Sequence, residues 1–300
     1  MKPSQPRLVL APPLPNGAEK DKNFLESSFF QIPNQHLPTP EQVRALSTDL
    51  STSPQPKPVI FTDPDIFVKF GRYVSVGEAQ CLWMVRQALG DKVPVPEVFG
   101  WRVDDEGYVF IYMELIQGET LLDRWEHLTS LDKEGLRDHL SQILADLRQL
   151  KQNCDQYIGS LNRDKLPDYV FQSLRQAGPF PSIREFNDWF SSLPQARLAG
   201  SQRYTDPYRH LLPDDGDIKF THGDLHRGNI MVSSTSPPRI LAIVDWGQAG
   251  WYPDYWEYCK ALYTCWYEDE WRQDWIDRVL EPRFEESQVF SEYTMAIGAV

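Results

Sequence analysis

The alternation of apolar and polar positions predicts a small antiparallel sheet with one helix in the first half of the chain. Two runs rich in β-branched and aromatic residues, 59–61 and 66–70, flank the turn-forming sequence Thr-Asp-Pro-Asp and are typical of a β-hairpin. A helix is expected over residues 76–89, because a Ser-x-x-Glu capping box opens it and a glycine follows it. Strands are predicted at 98–103 and 108–115, and the second leads into a short hinge.

A longer apolar period marks the second half of the chain as mostly helical. Six residues recur at intervals of mainly three and four and predict a long amphipathic helix: Leu136, Leu140, Ile143, Leu144, Leu147 and Leu150. Residues 155–218 are expected to form helical pieces, one of them near 183–190, with turn-rich loops between them. A strand pair at 230–232 and 240–244 follows, and helices are predicted from residue 256 onward.

The first 58 residues differ from both of these parts in their proline content. They hold eleven of the 24 prolines and little periodic apolar pattern, which indicates an extended arm or flexible segment rather than a packed domain. One short helix interrupts the arm. It is opened by a capping box at Thr39, and Val43, Leu46 and Leu50 follow at helical spacing. The chain is thereby divided into an arm, a small lobe with its hinge and a large lobe, at residues 1–58, 59–118 and 119–300.

Composition and charge narrow the classes of protein. The 300 residues, 41% of them hydrophobic, can bury a sizeable core. The chain has no run of about eighteen apolar residues, the length of a membrane span, and its start lacks the apolar core of a signal peptide, so we expect a cytoplasmic protein without a membrane partner. The four cysteines have no paired metal-ligand spacing and are expected to be reduced. A net charge of -13 argues against a nucleic-acid partner, because phosphate backbones require clustered Lys and Arg.

The candidate chemistry lies in the sequence Thr-His-Gly-Asp-Leu-His-Arg-Gly-Asn at residues 221–229. Asp224 and Asn229 belong to this motif, and Asp245 ends an apolar strand sixteen residues after the asparagine. Phosphoryl transfer needs one carboxylate that orients and deprotonates a hydroxyl, and oxygen ligands that hold Mg²⁺ on a triphosphate. Asp224 matches the first role, and Asn229 and Asp245 match the second. A turn-forming role explains any one of these residues alone, but it does not account for the whole spacing.

This motif resembles the aminoglycoside phosphotransferase and choline kinase superfamily, relatives of protein kinases that phosphorylate small molecules. The resemblance covers residues 59–285, and the run of thirteen residues from Asp245 to Glu257 is similar to a subgroup abundant in filamentous fungi. It implies an α+β, two-lobed, protein-kinase-like fold, with a small antiparallel β lobe carrying one helix and a larger, mostly helical lobe. It also implies an ATP- and Mg²⁺-dependent kinase that acts on a hydroxyl of a small molecule.

The resemblance assigns further roles in the small lobe and hinge. Lys69 would ground the α- and β-phosphates of ATP, and Glu78 would position that lysine. Without the catalytic motif, Lys69 is more simply explained as a charge at the end of a strand, and Glu78 as the capping-box partner of Ser75. By analogy, the carbonyl of Glu114 and the amide of Ile116 would bond the adenine.

We expect mainly structural roles for the two histidines of the motif. His222 joins Asp224 as a candidate catalytic residue, and we expect it to brace the loop. His226 is expected to pack and to form hydrogen bonds rather than to take part in the chemistry.

The chain departs from kinases because it lacks a glycine-rich loop. No glycine occurs between Gly17 and Gly71, so the backbone amides that would cover a triphosphate are not accounted for. The Ser- and Thr-rich residues 47–53 are one conjectural source of donors. This absence keeps open, as the first alternative, a catalytically silent kinase-like binding or scaffold protein. A protein kinase is the second alternative, but Gly223, where protein kinases carry Arg, and the absence of an Ala-Pro-Glu segment after Asp245 disfavour it.

The aromatic and acidic C-terminal part bears on the acceptor. Six of the ten tryptophans lie from Trp246 onward among carboxylates, an arrangement that would suit an amino or cationic substrate, although tryptophan at such spacing is more often core. A cationic acceptor predicts that one or more of four carboxylates face the cleft near Asp224: Glu257, Glu268, Asp269 and Glu270. The sequence specifies neither the acceptor nor the oligomeric state.

Overall fold

The computed structural model describes residues 8–53, 55–174, 177–196 and 198–299. Residues 1–7 and 54 of the predicted arm, and residues 175, 176, 197 and 300 of the predicted large lobe, lie outside the described residues. The strands are β1 (Val9–Leu10), β2 (Asp21–Asn23), β3 (Val59–Thr62), β4 (Asp65–Gly71), β5 (Val98–Val103), β6 (Val109–Glu114), β7 (Glu119–Thr120), β8 (Leu150–Lys151), β9 (Gly159–Ser160), β10 (Ile218–Thr221), β11 (Ile230–Val232), β12 (Ile240–Ile243) and β13 (Gly250–Pro253). The α-helices are α1 (Pro40–Leu46), α2 (Val76–Leu89), α3 (Leu121–Arg124), α4 (Ser130–Leu147), α5 (Ile183–Ser192), α6 (Trp256–Tyr263), α7 (Ile276–Val279) and α8 (Phe284–Ile297).

The small lobe is built on a five-stranded antiparallel sheet in the order β2-β5-β6-β4-β3. On β4, Ile66, Val68 and Phe70 are fully buried and pack into one core cluster. Because side chains alternate along a strand, Phe67 and Lys69 point to the other face, where both line the cleft between the lobes. The period-2 pattern of this strand therefore fixes the direction in which Lys69 points.

The N-terminal arm packs on both lobes. Its strand β2 pairs with β5 at the edge of the small-lobe sheet, while β1 pairs in parallel with β8 of the large lobe. Val43 of α1 and Phe29 cover one face of the sheet, and α2 packs on the opposite face. The described part of the arm thus packs against both lobes, a point that the sequence leaves open.

The large lobe combines helices with two small antiparallel sheets, ordered β12-β11-β7 and β10-β13-β9. Helix α4 packs against α7, and α6 packs against α8. The loop between β10 and β11, residues 222–229, is called the catalytic loop after the role that the sequence resemblance implies for it. This architecture confirms the predicted α+β, two-lobed fold class. No helix of the described ranges is long and apolar enough to cross a bilayer.

Two predicted helices end earlier than their apolar spacing indicates. Leu150 belongs to β8 rather than to α4, because it pairs with Val9 of the arm and is buried there. Leu50 lies beyond the end of α1 and packs, partly buried, against the small-lobe core. In both cases a tertiary contact gives the leucine its place, so the helical spacing beyond Leu147 and Leu46 is coincidental.

Candidate active site

Lys69 is held between two carboxylates at the cleft. Its ammonium lies 2.7 Å from Glu78 Oε1 and 2.8 Å from Asp245 Oδ1. Burial works to lower the pKa of Lys69, but the two carboxylates raise it above its ordinary value. Burial raises the pKa of Glu78, whereas for Asp245 the attraction of Lys69 outweighs burial and lowers the pKa. The ammonium is thus fixed as a cation that joins α2 of the small lobe to the large lobe.

The backbone of Asp245 has a left-handed conformation, with φ of +64°. Such a φ is uncommon for a residue other than glycine, although aspartate tolerates it better than most. The next side chain fixes this turn, because the Trp246 indole donates to the Ile243 carbonyl at 2.9 Å and packs edge-on against His222 at 4.6 Å between ring centroids. The turn directs the Asp245 carboxylate to Lys69 and the cleft.

The catalytic loop is braced by buried polar groups. Both oxygens of Glu257 accept backbone amides, from His222 at 2.6 Å and from Gly223 at 3.1 Å. The His222 ring donates from Nε2 to the Val244 carbonyl at 3.0 Å and accepts the Asp224 amide at Nδ1 at 3.1 Å. Since both ring nitrogens are bonded to backbone, His222 links Asp224 to the strand end before Asp245, and this geometry fits a bracing role. His226 accepts the Gly228 amide in the same loop.

Gly223 occupies a position that only glycine fits well. Its φ is +78°, and a Cβ atom there would lie 3.0 Å from the carbonyl oxygen of Gln248. A side chain at this position would be strained both by the backbone conformation and by the close carbonyl. The arginine of protein kinases therefore does not fit this loop as it is folded.

Asn229 and Asp245 form the candidate metal site. The Asn229 amide nitrogen donates to the Asp224 carbonyl at 2.9 Å and to Asp224 Oδ2 at 3.2 Å, which leaves Asn229 Oδ1 without a protein donor among the described residues. The described ranges contain no group of three or more His, Cys, Asp or Glu that would hold a metal by itself. One amide oxygen and one carboxylate still fit Mg²⁺, which is commonly bound through one or two carboxylates together with phosphates and water.

These groups open into a cleft of about 620 Å³ between the lobes. Lys69, Glu78, Asn229 and Asp245 form a polar cluster in its lining. Gln55, Lys57 and Glu114 also line the cleft, and the other lining side chains are mostly apolar, among them Ile60, Phe67, Met113, Met231 and Val244. Of the predicted hinge residues, Glu114 and Ile116 both line the cleft. The Ile116 amide makes no hydrogen bond to another described residue, whereas the Glu114 amide donates to Glu97. The arrangement offers a narrow apolar slot that ends at a cluster of charges.

Residues 76–289 match the model of the phosphotransferase enzyme family, abbreviated APH. The chain belongs to this family. The match includes Glu78, the catalytic loop and Asp245, and it begins after Lys69. No curated protein sequence matches the chain.

Solved structures of aminoglycoside phosphotransferases are similar to this family member at low identity. A thermostable mutant of APH(4)-Ia in its apo form is 14% identical, with 80% of each chain covered and a TM-score of 0.48. An aminoglycoside-3'-phosphotransferase of type VIII is 16% identical, with 81% of each chain covered and a TM-score of 0.45. The gentamicin complex of APH(2")-IIa is 15% identical, with 77% of this chain and 74% of the other covered and a TM-score of 0.45.

In this phosphotransferase, several polar residues near the catalytic loop are not predicted from the sequence. Asp168 and Lys260 form a fully buried ion pair at 2.7 Å, and Lys260 also donates to Gln248. Tyr169 follows Asp168, and its hydroxyl lies beside Gly247, Glu78 and Asp245. The only sequence signal is that Glu257 and Lys260 are charges inside a strongly apolar, aromatic helix, α6.

The four acidic residues expected near a cationic acceptor mostly have other partners. Glu257 holds the catalytic loop, Asp269 pairs with Arg227, and Glu270 bonds Lys133 and two indoles. Glu268 is exposed. Trp271 and Trp275 are core residues packed against Trp125. These contacts favour core packing over a cage for a cation.

Proposed function

We propose that this phosphotransferase moves the γ-phosphoryl group of ATP, in the presence of Mg²⁺, to a hydroxyl of a small molecule. The observation that carries the proposal is that Lys69, Asn229 and Asp245 line one cleft. Asp224 adjoins this cleft, because its carboxylate accepts a hydrogen bond from the Asn229 amide. Membership of the phosphotransferase family supports the reaction class. The buried brace supports catalysis rather than binding alone, since it fixes the Asp224 backbone while the Asn229 amide holds one oxygen of the Asp224 carboxylate.

In the proposed step, the acceptor oxygen forms a bond to the γ-phosphorus while the bond from that phosphorus to the β,γ-bridging oxygen breaks. ADP leaves with the electron pair, and the hydroxyl proton passes to the Asp224 carboxylate. The Asn229 amide donates to one oxygen of Asp224, so the other oxygen is available to the acceptor hydroxyl. Phosphoryl transfer depends chiefly on such positioning and on charge stabilisation.

The nucleotide would occupy the apolar slot with its phosphates toward the charged end. Lys69, positioned by Glu78, would contact the α- and β-phosphates, and Asn229 Oδ1 and Asp245 would hold Mg²⁺. When bound, Mg²⁺ neutralises charge on the triphosphate. The adenine would lie between the apolar side chains, with the Glu114 carbonyl and Ile116 amide as its hinge partners.

Two alternatives remain distinguishable from this proposal. A catalytically silent kinase-like binding or scaffold protein is favoured by one observation, the absence of glycine between Gly17 and Gly71. A protein kinase is disfavoured by the strain that any side chain would meet at Gly223. We propose the acceptor as a hydroxyl-bearing small molecule; amino and cationic compounds are tested with the rest, because most of the acidic candidates are already paired.

Thermal unfolding with ATP tests the proposal. We expect ATP to raise the Tm more with Mg²⁺ than with EDTA, and we expect Asp245→Asn to lose the Mg²⁺-dependent part. ADP release is then measured against a panel of amino and neutral hydroxyl compounds. An ATP-dependent shift without ADP release for any acceptor would favour the silent protein. A full Mg²⁺-dependent shift in Asp245→Asn would remove the metal assignment.

A further inference from the structure

The segment that lines the cleft just before β3 offers no free backbone amide. Residues 55–58, called the roof segment here, line the cleft immediately before β3. Pro56 and Pro58 have no N–H group. The Gln55 amide donates to the Ser53 hydroxyl at 3.2 Å, and the Lys57 amide donates to both carboxylate oxygens of Asp49 at 3.1 Å. All four backbone positions are therefore unable to donate to a ligand.

The residues before the roof segment do not replace those donors. Residues 47–53, the conjectural source of phosphate contacts, do not line the cleft. The amides of Thr52 and Ser53 both donate to the Asp49 carbonyl, at 3.0 and 2.9 Å, and the Thr52 hydroxyl donates to the same oxygen. The amide hydrogens of Thr52 and Ser53 and the Thr52 hydroxyl are therefore bonded to Asp49 and are not available to a ligand.

The roof segment is nevertheless fixed in place. Pro56 is buried and lies against Gly71, where an added Cβ would meet its ring at 3.4 Å. Asp49 holds the Lys57 amide, and Leu50 packs against the small-lobe core. A rigid segment with proline on both sides of Lys57 limits the positions from which that side chain can approach the cleft.

Among the residues that the structure describes, Lys57 is the cation of the cleft that has no acidic partner. Among the described lining residues the cations are Lys57 and Lys69, and the carboxylates are Glu78, Glu114 and Asp245. Lys69 is already shared by two of these carboxylates, while Lys57 is exposed and forms no ion pair with another described residue. A triphosphate that entered this cleft would meet one uncompensated ammonium on the small-lobe side.

From these observations we propose that the Lys57 side chain binds the triphosphate in place of a glycine-rich loop. Nucleotide binding in this chain then relies on a side-chain cation above the phosphates and on Lys69 beneath them, rather than on backbone amides. This inference rests on the proposed function, since it needs a nucleotide in the cleft.

Titration calorimetry with Mg²⁺-ATP and with adenosine tests the inference on the whole chain. We expect Lys57→Met to weaken ATP binding about ten- to a hundredfold, the range for one lost charge-assisted hydrogen bond, and to leave adenosine binding unchanged. Lys57→Arg should retain most of the ATP affinity. Lys20→Met, which removes another exposed lysine of the arm that pairs with Asp105, is the matched control and should bind as the wild type. The ATP dissociation constant of Lys57→Met should also depend less steeply on salt.

The outcomes separate this inference from the function on which it rests. If wild type binds ATP and Lys57→Met binds it within about twofold, Lys57 is not a phosphate contact and the inference is wrong. An equal loss of ATP and adenosine affinity in Lys57→Met would also overturn it, because the effect would then come from the fold of the roof segment. A wild type that binds neither ligand would remove the proposed function, and this inference with it.

Discussion

The two walls of the cleft are built in different ways. The catalytic loop on the large-lobe side is held by buried hydrogen bonds from Glu257 and His222, and it lies inside the range that matches the phosphotransferase family. The roof segment on the small-lobe side is held by Asp49 and by the packing of one proline, and it lies outside that range. The wall that would carry the chemistry is held by buried polar groups inside the family match, while the wall that would cover the nucleotide lies outside the match and is held by its own local contacts.

This difference separates two properties of the proposed enzyme. Changes in the catalytic loop should alter turnover or stability, because its groups are buried and fixed to one another. Changes in the roof segment should alter nucleotide affinity with little effect on folding, because Lys57 is exposed. Each prediction below tests whether the two walls are independent in this sense.

The largest expected effect is on turnover in Asp224→Asn. Removal of the proposed general base should lower kcat by about two to four orders of magnitude while ATP binding stays close to that of wild type. The fold should survive, since asparagine can still accept the Asn229 amide. Single-turnover ADP release and calorimetry measure the two quantities separately. Unchanged turnover would place the base elsewhere, and a parallel loss of ATP affinity would show that the two walls are coupled.

Lys69→Met should next reveal how far the walls depend on their shared ion cluster. Without Lys69, burial of the carboxylates is opposed only by lesser contacts, chiefly backbone hydrogen bonds, so the pKa values of Asp245 and Glu78 should both rise above their ordinary values of 3.8 and 4.5. Groups with a raised folded-state pKa stabilise the fold below the unfolded pKa and lose that contribution as pH rises. The free energy of unfolding of the variant should therefore fall further below that of wild type as pH rises from about 4, and the difference should reach about 2–3 kcal/mol at pH 7. This is less than for a fully buried pair, because the Asp245 side chain is 40% exposed.

Urea unfolding between pH 4 and pH 7 measures this difference. Lys20→Met, again an exposed lysine, serves as the control and should show a small difference that varies little with pH. A stability deficit in Lys69→Met that is the same at every pH would mean that the carboxylates do not depend on Lys69 for their charge.

The sequence predicts these two walls unequally, for physical reasons. Alternation on β4 and the Ser75 cap of α2 are local signals that place Lys69 on its strand and Glu78 in the first turn of its helix, while their roles at the cleft rest on the resemblance. The contact from Glu257 to the catalytic loop spans 34–35 residues, and nothing in the local pattern shows which buried partner a glutamate in an apolar helix will find. The arm is harder still, because its strands are two and three residues long and exist only through pairing with distant strands.

Glu257→Gln tests how much the hydrogen bonds from the catalytic loop to Glu257 stabilise that loop. One oxygen of the carboxylate would become an amide donor facing a backbone N–H, so we expect a loss of about 2 kcal/mol in the free energy of unfolding and a lower kcat. Glu268→Gln is the matched control, because Glu268 belongs to the same acidic group but is exposed. If Glu268→Gln, rather than Glu257→Gln, impaired the enzyme by raising the acceptor KM, the acidic group would serve a cationic acceptor after all.

The smallest effect is expected from Gly223→Ala, which tests whether the catalytic loop can shift to accept a side chain. Alanine at φ of +78° should cost about 1–2 kcal/mol, and the Gln248 carbonyl, 3.0 Å from the new Cβ, is backbone and cannot move aside as a side chain can. Gly135→Ala provides the control: that glycine lies in α4 with open space around it, so the change should raise stability by up to about 1 kcal/mol. Urea unfolding of both variants, together with ATP calorimetry, makes the comparison.

If Gly223→Ala is as stable as wild type, the catalytic loop has room to adjust. The strain argument against a protein-kinase arginine then fails, and the loop is less rigid than its hydrogen bonds indicate. If instead Gly223→Ala loses stability while its ATP affinity is unchanged, the catalytic wall and the roof segment act as separate parts of the site.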